Sequence, residues 1–371
     1  PARDAGQSER SGPVPVGALR LYLIAGEPSG DRLGAALMAG LKTLSPGVEF
    51  HGIGGPLMQA QGLTSLFPME ELSIMGLVEV LPKYLHLKRR IAETARDAVA
   101  SQPAAVITID SPDFCLRVAA LVKAARPDLR TIHYVAPSVW AWRPGRAAKM
   151  ARHIDHVLAL LPFEPPLMQA AGMTCDFVGH PVVSDPKATA EERTMLAGEG
   201  PLLLALPGSR KGEVTRLCPT FGATIALMKL AYPNLRVALP TVRGVEPLVR
   251  ELTRDWLVTP QIITDPTLKR AAFAAADVAL AASGTVSLEL AANACPMVIA
   301  YDMNRLTLWL MQRAALVDTV TLVNLVSDTR VVPEFIGERC RPDLIAPAPL
   351  ALMADPSGQK HAMGMTMQRL G

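Results

Sequence analysis

The chain has 371 residues, with 37 Lys and Arg against 34 Asp and Glu, which leaves a net charge of +3. Half of it is hydrophobic, only 5% is aromatic and 19% is charged, and its mean hydropathy is +0.24. That length asks for more than one core, because single cores stop growing near about 250–300 residues. The low charge and the abundance of Val, Ile, Leu and Ala exclude disorder and a coiled coil, and +3 gives no reason to expect nucleic acid.

Residues 1–17 are polar and rich in Pro and Gly, with no apolar h-region, so they read as a disordered leader and not as a signal peptide. Short continuous apolar runs follow, at Leu19–Ala25, Ala104–Ile109, Thr131–Val135 and His156–Leu161. After the polar interval Val182–Gly200 the pattern resumes at Pro201–Leu206, Arg236–Leu239, Val278–Ala282 and Met297–Tyr301. Apolar runs separated by helix-length segments predict strands buried on both faces, hence parallel βαβ units. The expected architecture is α/β, with two doubly wound Rossmann-like domains facing a central cleft. The first would span residues 18–185 and the second 201–345, joined by a linker over 186–200. A helical segment over 346–371 would follow, with the first domain as a surface it can pack back on.

No run of about 18–20 uncharged apolar residues exists, because Asp277, Glu289 and Asn293 interrupt the longest candidate, so no transmembrane helix is expected. Five cysteines at long spacings, with no C-x-x-C pair, point to a reducing cytoplasm and to no zinc site.

In open parallel sheets ligands sit beyond the carboxyl ends of strands, so the strand-to-helix junctions are where chemistry is sought. The first junction is Gly26-Glu27-Pro28-Ser29-Gly30-Asp31; its glycines permit a tight turn and its helix start favours a polar ligand. An ordinary turn capped by Ser29 or Asp31 explains the same residues. Gly52-Ile53-Gly54-Gly55-Pro56 fails the dinucleotide fingerprint, and no P-loop occurs. Asp110 ends a buried strand and is the candidate general base, while Asp113, just after Pro112, fits a helix cap better. In the second half, Gly208-Ser209-Arg210 offers a guanidinium for phosphate oxygens beside exposed backbone N–H groups. Ser283-Gly284-Thr285 opens another helix, and Glu289 within it has the position to accept from ribose hydroxyls. No carboxylate or histidine cluster has metal-ligand spacing, so no metal site and no cofactor are expected.

Leu72–Ile91 is densely apolar at Met75, Leu77, Val78 and Leu81, then basic at Lys88, Arg89 and Arg90. It suits an anionic lipid interface, although a helix pair packed on the core fits as well. Arg143, Arg146, Lys149 and Arg152 form a second basic stripe, open to phosphate or simply solvated.

Several of these stretches resemble lipid-A-disaccharide synthases. They include GEPSGD at Gly26–Asp31, GIGGPLM at Gly52–Met58, MEELSIMGLVEVLP at Met69–Pro82 and IDSPDF at Ile109–Phe114. HYVAPSVWAWRPGR at His133–Arg146, LPFE at Leu161–Glu164, FVGHP at Phe177–Pro181, LPGSR at Leu206–Arg210, SGTVSLE at Ser283–Glu289 and PMVIAY at Pro296–Tyr301 continue the match. It runs in order from about Leu19 to Glu334, with departures at Pro28, Val323 and Gly337 and an earlier stop than the family's usual C-terminal helix.

The resemblance implies a GT-B glycosyltransferase of lipid A biosynthesis, peripheral to the cytoplasmic face of the Gram-negative inner membrane. It implies transfer of 2,3-diacylglucosamine from its UDP derivative to 2,3-diacylglucosamine 1-phosphate, forming a β-1,6-linked disaccharide and UDP without a metal. Asp110 would be the base and Arg210 would meet the leaving diphosphate. Gly208, Ser209, Ser283, Gly284, Thr285, Glu289 and Asn324 would hold the nucleotide. Glu27, Ser29, Gly30 and Asp31 would line the acceptor side. An anionic membrane surface is the implied partner, with oligomerisation open. A UDP-sugar 2-epimerase-like enzyme and a non-catalytic UDP-binding module are the alternatives.

Overall fold

The computed structural model describes residues 19–72, 80–303, 313 and 315–371. The expected leader and Met75, Leu77 and Val78 lie outside the described residues. The apolar runs become strands, each followed by a helix. In the first half these are β1 (Arg20–Ala25), α1 (Pro28–Leu44), β2 (Glu49–Ile53), α2 (Pro56–Ala60), β3 (Thr64–Ser65), α3 (Val80–Ala100), β4 (Ala105–Ile109) and α4 (Pro112–Ala125). Then come β5 (Arg130–Tyr134), α5 (Gly145–Met150), β6 (His156–Ala159), α6 (Pro165–Ala170) and β7 (Thr174–Phe177).

The second series begins with α7 (Ala190–Thr194), β8 (Leu202–Leu206), α8 (Lys211–Ala231), β9 (Arg236–Pro240), α9 (Glu246–Leu252), β10 (Gln261–Ile263) and α10 (Pro266–Ala275). It continues through β11 (Val278–Ala281), α11 (Val286–Ala292), β12 (Met297–Tyr301), α12 (Leu322–Ser327) and β13 (Glu334–Ile336). The chain ends in α13 (Pro342–Ile345), α14 (Pro347–Ala354) and α15 (Ser357–Leu370).

One sheet has the order β3-β2-β1-β4-β5-β6-β7 and the other β10-β9-β8-β11-β12-β13. The central pairings are parallel, with Leu21 opposite Ala105 in one sheet and Val278 opposite Leu203 in the other. The direction of winding therefore reverses between β1 and β4, and again between β8 and β11. At such switch points two adjacent strands send their following loops apart and leave a crevice at their carboxyl ends. Asp110 follows β4 and Glu27–Asp31 follow β1; Arg210 follows β8 and Ser283–Thr285 follow β11. The topology thus puts the sequence candidates at the two places where a ligand fits.

Both faces of the second sheet are covered, as its continuous apolar runs require. Leu202, Leu204, Leu206, Ala279, Ala281, Met297 and Ile299 join one apolar cluster, while Leu203, Ala205, Val278, Leu280, Val298 and Ala300 join the other. Full burial of each such Leu or Ile contributes about 1.5–3 kcal/mol, which fixes the strands and thereby the loops that leave them.

The described chain forms two units. One takes the described residues up to Pro137, Gly145–Ala159 and Pro165–Asp176; the other takes Ser138–Pro144, Leu160–Glu164 and the described residues from Phe177 onward. Two loops that follow β5 and β6 therefore belong to the second unit. Leu161 is in its core, and Trp140 and Phe163 pack on that core. The interval expected as a linker, 186–200, also belongs to the second unit and contains α7. Thr189 and Glu192 cap that helix reciprocally, each backbone N–H donating to the other's side chain at 3.1 Å, and Arg270 pairs with Glu192. At the C-terminal end, α15 packs on α11 and α12 of the second unit. Its buried Gln359 accepts from Met297 N at 2.8 Å and donates to Met297 O at 2.8 Å.

Among the described residues no helix is long and apolar enough to cross a membrane.

Candidate functional site

In the first unit, α1 begins at Pro28, whose fixed φ suits the first helical position. Ser29 Oγ donates to Asp110 Oδ2 at 3.0 Å, so the two loops at the β1–β4 switch point are joined through the candidate base. Gly30 has a specific reason to lack a side chain, since a Cβ there would stand 3.2 Å from Ile109 O. Glu27 occupies the N-cap position with extended backbone.

Asp31 is different. Its buried carboxylate accepts from Leu57 N and Met58 N, both at 3.0 Å, and so satisfies the first turn of α2. The expectation that Asp31 faces an acceptor is corrected accordingly, because both carboxylate oxygens already serve α2.

Asp110 and Ser111 both have left-handed backbones, with φ of 53° and 42°. Non-glycine residues held this way cost of order 1–3 kcal/mol each and cluster where a side chain must be aimed. Asp110 N donates to Tyr134 O at 2.9 Å, which anchors the strained turn to β5. Ser111 Oγ is buried with no hydrogen-bond partner. Asp113 is 93% exposed and pairs with Arg146 at 2.9 Å, consistent with a surface position at the start of α4. One residue before the strand ends, His133 Nδ1 lies 2.7 Å from Thr108 Oγ1, and burial pushes the imidazole down to about 4.

In the second unit a cavity of about 540 Å³ opens at the β8–β11 switch point. Gly208, Ser209, Arg210, Ser283, Gly284, Thr285 and Glu289 all line it, so seven expected donor-site residues come together. Arg210 is 66% exposed and its Nη1 lies 3.4 Å from Glu213 Oε1. The backbone N–H groups of Ser209 and Arg210 are not open donors, however. Both point at Glu213 Oε2, at 3.2 and 3.3 Å. Thr285 stands at the N-cap of α11 without a side-chain cap bond; Ser287 Oγ donates instead to Gly284 O at 3.0 Å.

Glu289 pairs with Lys269 at 2.7 Å. Lys269, Phe273, Thr241 and Val242 also line the cavity and carry no motif. The one cue to Lys269 was Asp265-Pro266, a cap and first-turn proline; Asp265 accepts from Leu268 N at 2.8 Å and starts α10 just after β10.

Asn324 is absent from the cavity lining. It is buried, donates to Thr319 Oγ1 and Val332 O at 3.2 and 3.0 Å, and accepts from Val332 N at 3.0 Å. Its amide is spent on closing the 319–332 loop, which corrects the expectation that it contacts a nucleotide.

On α3, Lys88 and Arg89 are exposed as expected, and Leu81 lies near the helix start. Arg90 is not available to a lipid phosphate. Its guanidinium donates to Glu71 and Glu93, with contacts of 2.7 and 2.8 Å, and covers the Phe67 ring at 4.3 Å. Among the described residues no group of three His, Cys, Asp or Glu side chains is placed to hold a metal ion.

The sequence model of the lipid-A-disaccharide synthetase family matches residues 21–370. The chain belongs to the lipid-A-disaccharide synthase family. It is 60% identical to the lipid-A-disaccharide synthase of Ruegeria pomeroyi, covering 97% of this chain and 94% of that one. Identity to the Rhodospirillum centenum lipid-A-disaccharide synthase is 47%, over 92% of this chain and 87% of that one. Among solved structures, the UDP-GlcNAc 2-epimerase of Neisseria meningitidis bound to UDP-GlcNAc superposes with a TM-score of 0.65, covering 95% of both chains at 12% identity. MurG of Acinetobacter baumannii does so at 0.57 and 13% identity, covering 95% of this chain and 94% of that one. These likenesses establish the GT-B fold.

Proposed function

We propose that the chain transfers 2,3-diacylglucosamine from its UDP derivative to O6 of 2,3-diacylglucosamine 1-phosphate, giving the β-1,6-linked disaccharide 1-phosphate and UDP. The observation that carries this is identity to lipid-A-disaccharide synthases along nearly the whole chain, joined to a cavity where seven donor-site candidates meet.

Asp110 takes the proton from the acceptor 6-hydroxyl while that oxygen attacks the anomeric carbon; the bond to UDP breaks in the same displacement, inverting the centre. Positioned bases of this kind contribute about 10²–10⁴-fold. Ser29, on one carboxylate oxygen, leaves the other for the hydroxyl. Arg210 meets the charge that builds on the departing diphosphate. Lys269 holds Glu289 where it accepts from the ribose. Chelation by EDTA leaves turnover unchanged in this scheme, since these side chains bear the whole electrostatic load. The enzyme works at the cytoplasmic face of the inner membrane, with Lys88 and Arg89 toward anionic headgroups.

The test is to isolate the product. A disaccharide 1-phosphate with a β anomeric proton coupling supports the proposal, and an α linkage or an epimerised UDP-sugar overturns it.

A further inference from the structure

Glu213 presents a paradox. It places a carboxylate in the cavity that the preceding reading assigns to a nucleoside diphosphate, beside the arginine meant to receive the phosphates. An anion there repels an anionic ligand. Its geometry explains why it stands there all the same.

Four donors converge on this side chain. Oε2 accepts from the backbone N–H groups of Ser209 and Arg210, at 3.2 and 3.3 Å. Oε1 receives Arg210 Nη1 at 3.4 Å and Tyr301 Oη at 3.5 Å. Gly208, the first residue of the turn to line the cavity, has a φ of 108°, and a Cβ there would collide with this carboxylate. The turn is thus wrapped around Glu213, with glycine at the position of closest approach. Tyr301 sits at the end of β12, so it ties the carboxylate to a different strand from the one that delivers Arg210. Only 16% of the Glu213 side chain is exposed, against 66% for Arg210. One carboxylate is fixed; the guanidinium it touches is free to reach outward.

We infer that Glu213 is the positioning residue of the donor cavity, with Tyr301 as its anchor: it sets the Gly208–Arg210 turn and aims the Arg210 guanidinium at the phosphates. The inference rests on reading the cavity as a nucleoside-diphosphate site. It assigns Glu213 no contact with the reacting atoms.

The sign of one substitution separates this role from plain charge repulsion. Removing a carboxylate near a bound anion tightens binding if the carboxylate only repels. If it positions the turn, Glu213→Ala weakens UDP binding by about tenfold, the worth of one charge-assisted hydrogen bond delivered through Arg210. Titration calorimetry with UDP on wild type, Glu213→Ala, Glu213→Gln, Tyr301→Phe, Arg210→Ala and the Arg210→Ala/Glu213→Ala double variant makes the measurement. Glu213→Gln keeps one oxygen for the two N–H groups and should recover part of the loss, which guards against a variant that merely folds poorly. Tyr301→Phe should weaken binding in the same direction by less. The double variant should bind no worse than Arg210→Ala alone, and KM for the donor should rise with KM for the acceptor unchanged.

Tighter or unchanged UDP binding in Glu213→Ala overturns the inference, as do additive losses in the double variant. Failure of the wild type to bind UDP overturns the donor-cavity reading itself, before any variant is compared.

Discussion

Glu164 gives the sharpest physical prediction about the second unit. Its carboxylate is buried, accepting from Trp140 Nε1 at 3.2 Å and Leu161 N at 3.0 Å, and it holds together the two loops that follow β5 and β6. Burial pushes this carboxyl from 4.5 up to about 7, outweighing the hydrogen bonds that favour its charged form. The folded chain therefore keeps a proton that the unfolded chain releases near pH 4.5. Stability from this group is fully present below pH 4.5 and is lost as pH rises through about 7. The gap between 4.5 and about 7, at about 1.36 kcal/mol per pH unit, comes to about 3 kcal/mol. His133, in the first unit, has the opposite slope, since its pKa falls from 6.5 to about 4 and its contribution is lost as pH drops through that window. Comparing wild type with Glu164→Gln cancels His133 and every other group. Gln cannot ionise, so its lost acceptor gives a constant offset, and the variant should gain on wild type as pH rises from 4.5 to 8. For a unit of this size the gain is about 6–12 °C in the second unit's melting temperature, read by calorimetry. Parallel melting curves for the two proteins across that range would refute the argument.

Asp110→Asn should bind UDP normally and lose about 10²–10⁴-fold in kcat, because Asn accepts the left-handed backbone but not the proton; near-wild-type turnover removes Asp110 from the base role. Arg210→Ala should weaken UDP by about tenfold or more, as expected for a charge-assisted contact, and unchanged affinity refutes the clamp. Reversing Lys88 and Arg89 to Glu should cut co-sedimentation with anionic vesicles by at least about fivefold per charge. Arg90→Glu should lower the melting temperature too, since it strands Glu71 and Glu93.

The strands were legible because parallel strands buried on both faces need unbroken apolar runs, and Leu202–Leu206 is buried at every position. The positions of Asp110 and Arg210 at the strand-to-helix junctions were legible because Asp110 directly follows one such run and Arg210 closes the Pro-Gly-Ser turn after another. What escaped the sequence is long-range pairing. Asp31 reads as a ligand-facing carboxylate until α2 supplies two N–H groups 26 and 27 residues away. Arg90 reads as part of a basic rim until Glu71 reaches it. Asn324 reads as a site residue until Val332 takes its amide. Trp140 and Leu161 sit beside first-unit strands in the sequence, yet their apolar partners belong to the second unit. Glu213 carries no motif in the sequence; that the turn wraps around it depends on Gly208 and Tyr301 together.

The most direct test of the central claim is UDP release from UDP-2,3-diacylglucosamine, measured with and without 2,3-diacylglucosamine 1-phosphate. The account predicts release only when both lipids are present, at a rate lowered about 10²–10⁴-fold in Asp110→Asn. Release from the donor alone, or none with both lipids, would contradict it.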